Sequence, residues 1–260
     1  MLFIILSLIK MYPYFSIIIP TLNEEVILPK ILDSLLQQKN QNFEIIIVDG
    51  NSLDKTLQIA NKYKKLFLKL HIELTIITSP KQNVSAQRNT GSKIAKGEYL
   101  AFFDADVIIP DNYLSIISEK IYNTGSPLVT TWMKPENNHI FEKLVFLFLN
   151  LVVEYGKYIN KPMLFGSNII IKKQVFNQIG KFRSDIIIAE DQELAQRALH
   201  FHYSALVLRN PKMTHSSRRY NKNGYFKTTL MYLKATIYLL IHGPVTKNVV
   251  DYPMGGKAHE

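Results

Sequence analysis

The 260-residue chain contains no cysteine. A disulfide framework, a thiolate nucleophile and a thiolate-built zinc site are therefore excluded, and any metal must be held by oxygen or imidazole. Glycine and proline, at 11 each, are at ordinary usage, and no internal period of roughly 20 to 50 residues recurs. Collagen-like, low-complexity and solenoid architectures drop out. Long apolar runs are missing too: Met1 to Ile9 is nearly all apolar, but it falls short of the roughly 20 residues that cross a bilayer, and no small-residue cleavage pattern follows it. What is there is a chain of 30.0 kDa with 47% apolar residues. That suffices for one large α/β domain or two small ones, and excludes disorder.

Acid is the minority charge, 21 Asp and Glu against 31 Lys and Arg, for a net +10. Residues 1–110 are near balance, with 12 bases and 10 acids, so the excess is mostly C-terminal. Such asymmetry suits nucleic acid, an anionic membrane surface, a phosphorylated acceptor or simply a solvated basic face. Two apolar segments lie in the basic half. From Leu144 to Val153 only Asn150 interrupts the run, and Tyr225 to Ile241 places Phe226, Leu230, Leu233, Ile237 and Leu240 at helical spacing. Neither is long enough to span. Helices lying in a lipid interface and helices buried in a core or dimer contact fit them equally.

The N-terminal half alternates strand and helix signals. Phe15 to Ile19 is a β-branched run ended by Pro20, and Val26 to Gln38 follows with a helical apolar period. Phe43 to Val48 reads as a second buried strand, Ser52 to Lys65 as a helix, Leu74 to Thr78 as a third strand, Asn83 to Ala95 as a helix and Tyr99 to Phe103 as a fourth strand. Alternation at this spacing predicts an α/β, Rossmann-like, doubly wound, mostly parallel sheet with right-handed crossovers. After Pro110 it weakens into a helix near Asn112 to Tyr122 and a strand near Leu128 to Met133. Ligands of such sheets bind beyond the carboxyl ends of the strands. The polar clusters Thr21-Leu-Asn-Glu-Glu25, Asp49-Gly-Asn-Ser-Leu-Asp54 and Asp104-Ala-Asp106 fall there and are expected to converge.

These segments, with Arg88-Asn-Thr-Gly91, Gly166-Ser-Asn168, Phe176 to Phe182 and Glu190-Asp191, occur in the order seen in family 2 glycosyltransferases of the GT-A, nucleotide-sugar-binding type, which the chain resembles over about residues 15–220. The resemblance implies one domain with an N-terminal extension (1–12), a nucleotide-sugar-binding half (13–110), an acceptor and catalytic half (111–222) and a C-terminal amphipathic segment and tail (223–260). It implies Thr21 and Asp49 near the nucleobase, Arg88 near base or diphosphate, Asp106 as ligand of Mg²⁺ or Mn²⁺, and Asp104 as nucleotide or metal contact. Asp191 is implied as the general base, with Glu190 as its neighbour or an acceptor contact. His215 fits a metal or diphosphate ligand as well as a structural histidine. Arg218 and Arg219 have the planar fork that binds phosphate oxygens, of the donor or of the acceptor.

The residues support parts of this independently. Carboxylates can hold a hard cation that neutralises a departing diphosphate, and in an extended Asp-x-Asp both side chains point the same way. A carboxylate pair opening a helix sits at the favourable end of its dipole. Asn23 and Glu24 suit ligand contact or helix capping equally, Ser52 and Asp54 read as a helix cap, and Trp132 reads as core before sugar platform.

The expected activity is inverting transfer from a UDP- or GDP-sugar to a hydroxyl or phosphate acceptor. A lipid-linked acceptor is modestly favoured over a soluble one, with a cytoplasmic location and peripheral membrane contact. No nucleic-acid partner is expected. A nucleotidyltransferase is disfavoured because no Gly-rich phosphate loop lies between Ile19 and Lys30, and a non-catalytic nucleotide-sugar-binding protein because Asp191 is present.

Overall fold

The computed structural model describes residues 14–186 and 188–218, and six single positions between 224 and 238. The extension expected over 1–12, Arg219 and, those single positions apart, the segment 223–260 lie outside the described residues.

Strands β1 (Phe15–Thr21) and β2 (Phe43–Asp49) are buried at every residue, as unbroken apolar runs must be when a parallel sheet is covered on both faces. With β3 (Leu74–Thr78) and β4 (Tyr99–Phe103) they form the parallel array β3-β2-β1-β4. Helices α1 (Leu28–Leu36), α2 (Thr56–Lys69) and α3 (Val84–Ile94) make the crossovers. Alternate residues of each strand serve opposite faces: Ile17, Ile19, Ile45, Ile47 and Phe103 join one core, and Ile18, Ile46, Val48 and Phe102 the other.

The rest of the chain adds β5 (Val107–Ile108), α4 (Tyr113–Thr124), β6 (Leu128–Pro135), α5 (Ile140–Tyr155), a 3₁₀ turn over Gly156–Ile159, β7 (Asn168–Lys172), α6 (Lys173–Gln178), α7 (Glu190–His200) and β8 (Leu206–His215). The eight-stranded order is β3-β2-β1-β4-β7-β6-β8-β5. Here β7 runs antiparallel to both β4 and β6, while β8 runs parallel to β6 and antiparallel to β5.

Three local expectations are corrected. Helix α2 begins at Thr56 rather than Ser52, because the polar residues before it stitch two loops together. The Ser52 hydroxyl donates to Asp49 and accepts from the Asn23 N–H, and Asp54 accepts from the Glu25 and Thr56 N–H groups. Neither Asn23 nor Glu24 caps α1 with its side chain: Asn23 Oδ1 accepts from the Leu53 N–H at 2.7 Å, and Glu24 bonds Arg218. Finally, Asp104 to Asp106 is a turn, not an extended strand end, and its two carboxylates face different partners.

The position of α3 follows from Gly91. A Cβ there would stand 2.6 Å from Ile18 Cγ2 and 3.0 Å from Val48 Cγ2, so the helix lies directly on β1 and β2. Gly91→Ala is expected to lower the unfolding free energy by about 1–3 kcal/mol through overpacking, read from a urea titration against the wild-type chain.

Candidate active site

At the ends of β1 and β2 the backbone is braced before any ligand is considered. Gln87, from α3, donates from one amide nitrogen to the carbonyls of Thr21 and Val48, both at 2.8 Å, and the Gly50 N–H donates to the Thr21 carbonyl. Asp49 is 1% exposed. Its Oδ1 accepts from the hydroxyls of Thr21 (3.2 Å) and Ser52 (2.5 Å), and its Oδ2 from the Ser52 N–H (2.8 Å). Much of the carboxylate is thus spent on holding the 50–55 loop, with acceptor capacity left on Oδ2.

The centre of the cleft is organised by Arg88. It is 1% exposed, yet Nη2 donates to Asp104 at 2.8 Å and Nη1 to Glu190 at 2.7 Å, while its guanidinium lies over the Phe182 ring at 5.2 Å. One side chain therefore ties the end of β4 to the start of α7. Its neighbours in the motif serve it: Asn89 exchanges hydrogen bonds with the Phe182 backbone, which fixes the ring under the guanidinium, and Gly91 sets the helix on the sheet. Burial alone would weaken the charge on Arg88. The carboxylates of Asp104, Glu190 and Asp191 outweigh that and raise its pKa above the ordinary value.

Asp191 lies in the first turn of α7, behind Ala189 in a left-handed conformation. It accepts from the N–H groups of Gln192, at 2.8 Å, and Gly166. Desolvation first, and the neighbouring Glu190 second, push its carboxyl up to about 7, with Arg88 and the two N–H groups pulling the other way. Three carboxylates against one guanidinium leave excess negative charge, and a carboxyl in that position resists ionisation. Gly166 is the floor of this pocket: a Cβ would stand 3.1 Å from Asp191 Oδ2 and 3.4 Å from Arg88 Nη2.

A second cluster adjoins it through the turn. Pairing of Val107 with His215, and the Ser216 N–H bond to the Asp106 carbonyl, bring the end of β8 against Asp106. His215 Nε2 stands 3.9 Å from Asp106 Oδ1, and Arg218 reaches Glu24 at 2.8 Å and Asp106 at 3.7 Å. The His215 Nδ1 lies 2.9 Å from the Ser216 carbonyl, which fixes the ring with Nε2 toward Asp106. At 3.9 Å, the Asp106 oxygen and the imidazole nitrogen are too far apart to hydrogen-bond. No group of three acidic or histidine side chains is set to hold a metal among the described residues.

The structure thus brings Arg88, Asp104, Glu190 and Asp191 into one cluster, Asp106, His215 and Arg218 into a second, and Thr21 with Asp49 into a third. Asp104 is turned to Arg88 rather than to the second cluster. Trp132 is not in the cleft: it is 9% exposed, with Arg209 and Lys212 over its ring. Sequence reasoning passed over the Gly166 N–H, the Phe182 platform and the pairing of Glu24 with Arg218. The first two lie within motifs already noted, but nothing local connects residues 24 and 218.

The clusters gather where the strands of a Rossmann-like sheet end, the place at which sheets of this kind bind nucleotide ligands. The model of the family described as glycosyl transferase family 2 matches residues 16–180, more than half of the chain, and the protein belongs to that family. It is 44% identical over 94 residues to a PGL/p-HBAD biosynthesis glycosyltransferase of Mycobacterium bovis, an alignment covering 36% of each chain. The match therefore spans about a third of that relative. The poly(ribitol-phosphate) β-N-acetylglucosaminyltransferase TarS of Staphylococcus aureus is 33% identical over 125 residues, 47% of this chain and 21% of TarS. The structure of TarS 1–349 with UDP superposes with a TM-score of 0.59 at 23% identity, covering 78% of this chain and 60% of that one. The mannosyltransferase PcManGT of Pyrobaculum calidifontis, solved with GDP-Man and Mn²⁺, gives 0.67 at 18% identity over 89% and 71%. These two establish the GT-A fold.

Because Arg88 compensates three carboxylates at once, Arg88→Met is expected to destabilise the chain by about 3–5 kcal/mol at pH 8. Protonation of the stranded carboxyls relieves the repulsion, so urea titrations should give a smaller deficit at pH 5.

Proposed function

We propose that the chain is an inverting glycosyltransferase that moves a sugar from a UDP- or GDP-sugar to a hydroxyl or phosphate acceptor. The observation that carries this is the Arg88 bridge, which sets the Asp104–Asp106 turn against Glu190 and Asp191 across one cleft. Thr21 and Asp49 line the nucleoside end. Asp106 and His215 would hold Mg²⁺ or Mn²⁺, with Asp104 at the nucleotide edge. The ion, when bound, supplies positive charge to the departing nucleoside diphosphate, and Arg218 adds a guanidinium on the same side.

Asp191 is the residue free to take a proton. Glu190 is held by Arg88, whereas the Asp191 carboxyl is held only by backbone N–H groups that fix its direction. Its Oδ atom removes the proton from the acceptor oxygen as that oxygen forms its bond to the anomeric carbon and the bond to the diphosphate breaks. A base whose carboxyl has been raised toward neutrality both ionises in working conditions and holds the proton it receives. A lipid-linked acceptor is favoured over a soluble one, with peripheral contact at the cytoplasmic face of a membrane. The basic C-terminal half and its apolar segments support this. Among the described residues no helix is long and apolar enough to cross a membrane.

Asp191→Asn is expected to cut transfer by about 10²–10⁴-fold while nucleotide binding persists, measured as release of UDP or GDP from a panel of nucleotide sugars with and without a polyprenyl phosphate. In the wild-type chain kcat/KM should rise with pH and level off above about 7, as the base loses its proton. A flat profile through that window would remove Asp191 from the role. Asp106→Ala should instead weaken Mn²⁺-dependent nucleotide binding by about tenfold or more, followed by calorimetric titration of UDP and GDP with Mn²⁺ present and absent.

A further inference from the structure

Helix α5 faces the wrong way for a surface helix. Its inner face carries Glu142, Phe146, Asn150 and Val153, all buried. Its outer face carries Ile140, Leu144, Leu147, Phe148 and Leu151, from 37% to 67% exposed, at the i, i+4, i+7, i+8, i+11 spacing of one continuous stripe. Tyr155 and Tyr158, 50% and 74% exposed, extend it into the 3₁₀ turn. Isolated exposed apolar residues are ordinary, but a rimmed stripe of this length marks a contact surface.

The rim is cationic. Lys143 and Lys161 are exposed, Lys157 stands 5.3 Å above the Tyr158 ring, and Arg209 and Lys212 stand over Trp132 on the adjoining sheet edge. Both carboxylates of the helix are taken: Glu142 is buried against the Ser217 hydroxyl, and Glu154 accepts from Arg209 and from Trp132 Nε1, each at 2.9 Å.

The geometry points to an anionic lipid surface as the partner of this face. The stripe enters the acyl boundary, the tyrosines sit at headgroup depth, and the cations meet lipid phosphates. A two-fold contact with a second copy would instead set Lys143, Lys157 and Lys161 against cations of the same face, with both acids of α5 already engaged. The opposite side of α5 reaches the cleft, with Phe146 at 6.0 Å from the His215 ring and Glu142 on Ser217. One helix thickness, roughly 10 Å, therefore separates the membrane from the reaction. This deepens the lipid-acceptor reading, and only that last step rests on it; the docking stands on the surface itself.

The test is co-sedimentation of the full chain with vesicles of phosphatidylcholine alone or mixed with phosphatidylglycerol. The wild-type chain should sediment with the mixed vesicles and little with the neutral ones. Leu144→Gln with Phe148→Gln should lower association by about tenfold or more, and Lys157→Gln with Lys161→Gln should lower it less and flatten its salt dependence. Melting curves and nucleotide binding should be unchanged in both. Three results would overturn the inference: no association of the wild-type chain, association unaltered by the Leu144 and Phe148 changes, or a wild-type dimer that those changes dissociate. Loss of sugar transfer to a water-soluble acceptor would count against the enzymatic reading alone, since vesicle binding is scored without it.

Discussion

The architecture of the site depends on one buried cation. Removing the Arg88 guanidinium from water costs several kcal/mol, which only close, well-aligned carboxylates can offset. The chain supplies them from segments far apart in sequence, Asp104 after β4 and Glu190 and Asp191 opening α7, so solvating one charge draws the end of β4 and the start of α7 to one point. The support extends backward to Gly91, which lets α3 descend onto β1, and sideways to Asn89, which holds the Phe182 ring under the guanidinium.

That arrangement is deliberately incomplete in charge. A guanidinium bonded on two edges by Asp104 and Glu190 has little left for Asp191, which pays for its position with a raised proton affinity. In linkage terms the folded chain holds this proton more tightly than the unfolded one. Asp191 therefore adds stability at acid pH, and that contribution fades as pH rises toward about 7. Asp191 is thus a carboxyl whose ionisation the fold resists, and a group perturbed in this way by burial and a neighbouring acid is a candidate for proton transfer.

Much of this was legible in the sequence, for identifiable reasons. The parallel strands announce themselves because burial on both faces demands unbroken β-branched runs such as Ile17 to Ile19 and Ile45 to Val48. The order of the motifs named the family. What did not read through is what depends on pairing across the sheet. β8 is masked by Arg209-Asn-Pro-Lys212, which breaks strand alternation, so the pairing that presents His215 to Asp106 was invisible. The direction of Asp104 was missed because alternation cannot tell where a strand gives way to a turn. The resemblance implied a place near base or diphosphate for Arg88, and gave no hint that both its terminal nitrogens are bonded to protein carboxylates.

The inversion of α5 has a cause of the same kind. Strand β6 shifts register against β8 between Thr131 and Met133, and such an irregularity leaves backbone groups without ladder partners. Asn150 supplies them, accepting from the Met133 N–H and donating to its carbonyl, both at 2.8 Å. Glu142, two turns earlier on the same face, takes the Ser217 hydroxyl beside the cleft. With Glu142 and Asn150 pointing inward beside Phe146 and Val153, helical geometry turns Ile140, Leu144, Leu147, Phe148 and Leu151 outward. The apolar period of Leu144 to Val153 left burial and a lipid interface equally open, because it could not foretell that Glu142 and Asn150 would be held inward by hydrogen bonds. The outward residues are consequently not required to hold the core together, so the surface they form and the fold that carries it can be perturbed separately.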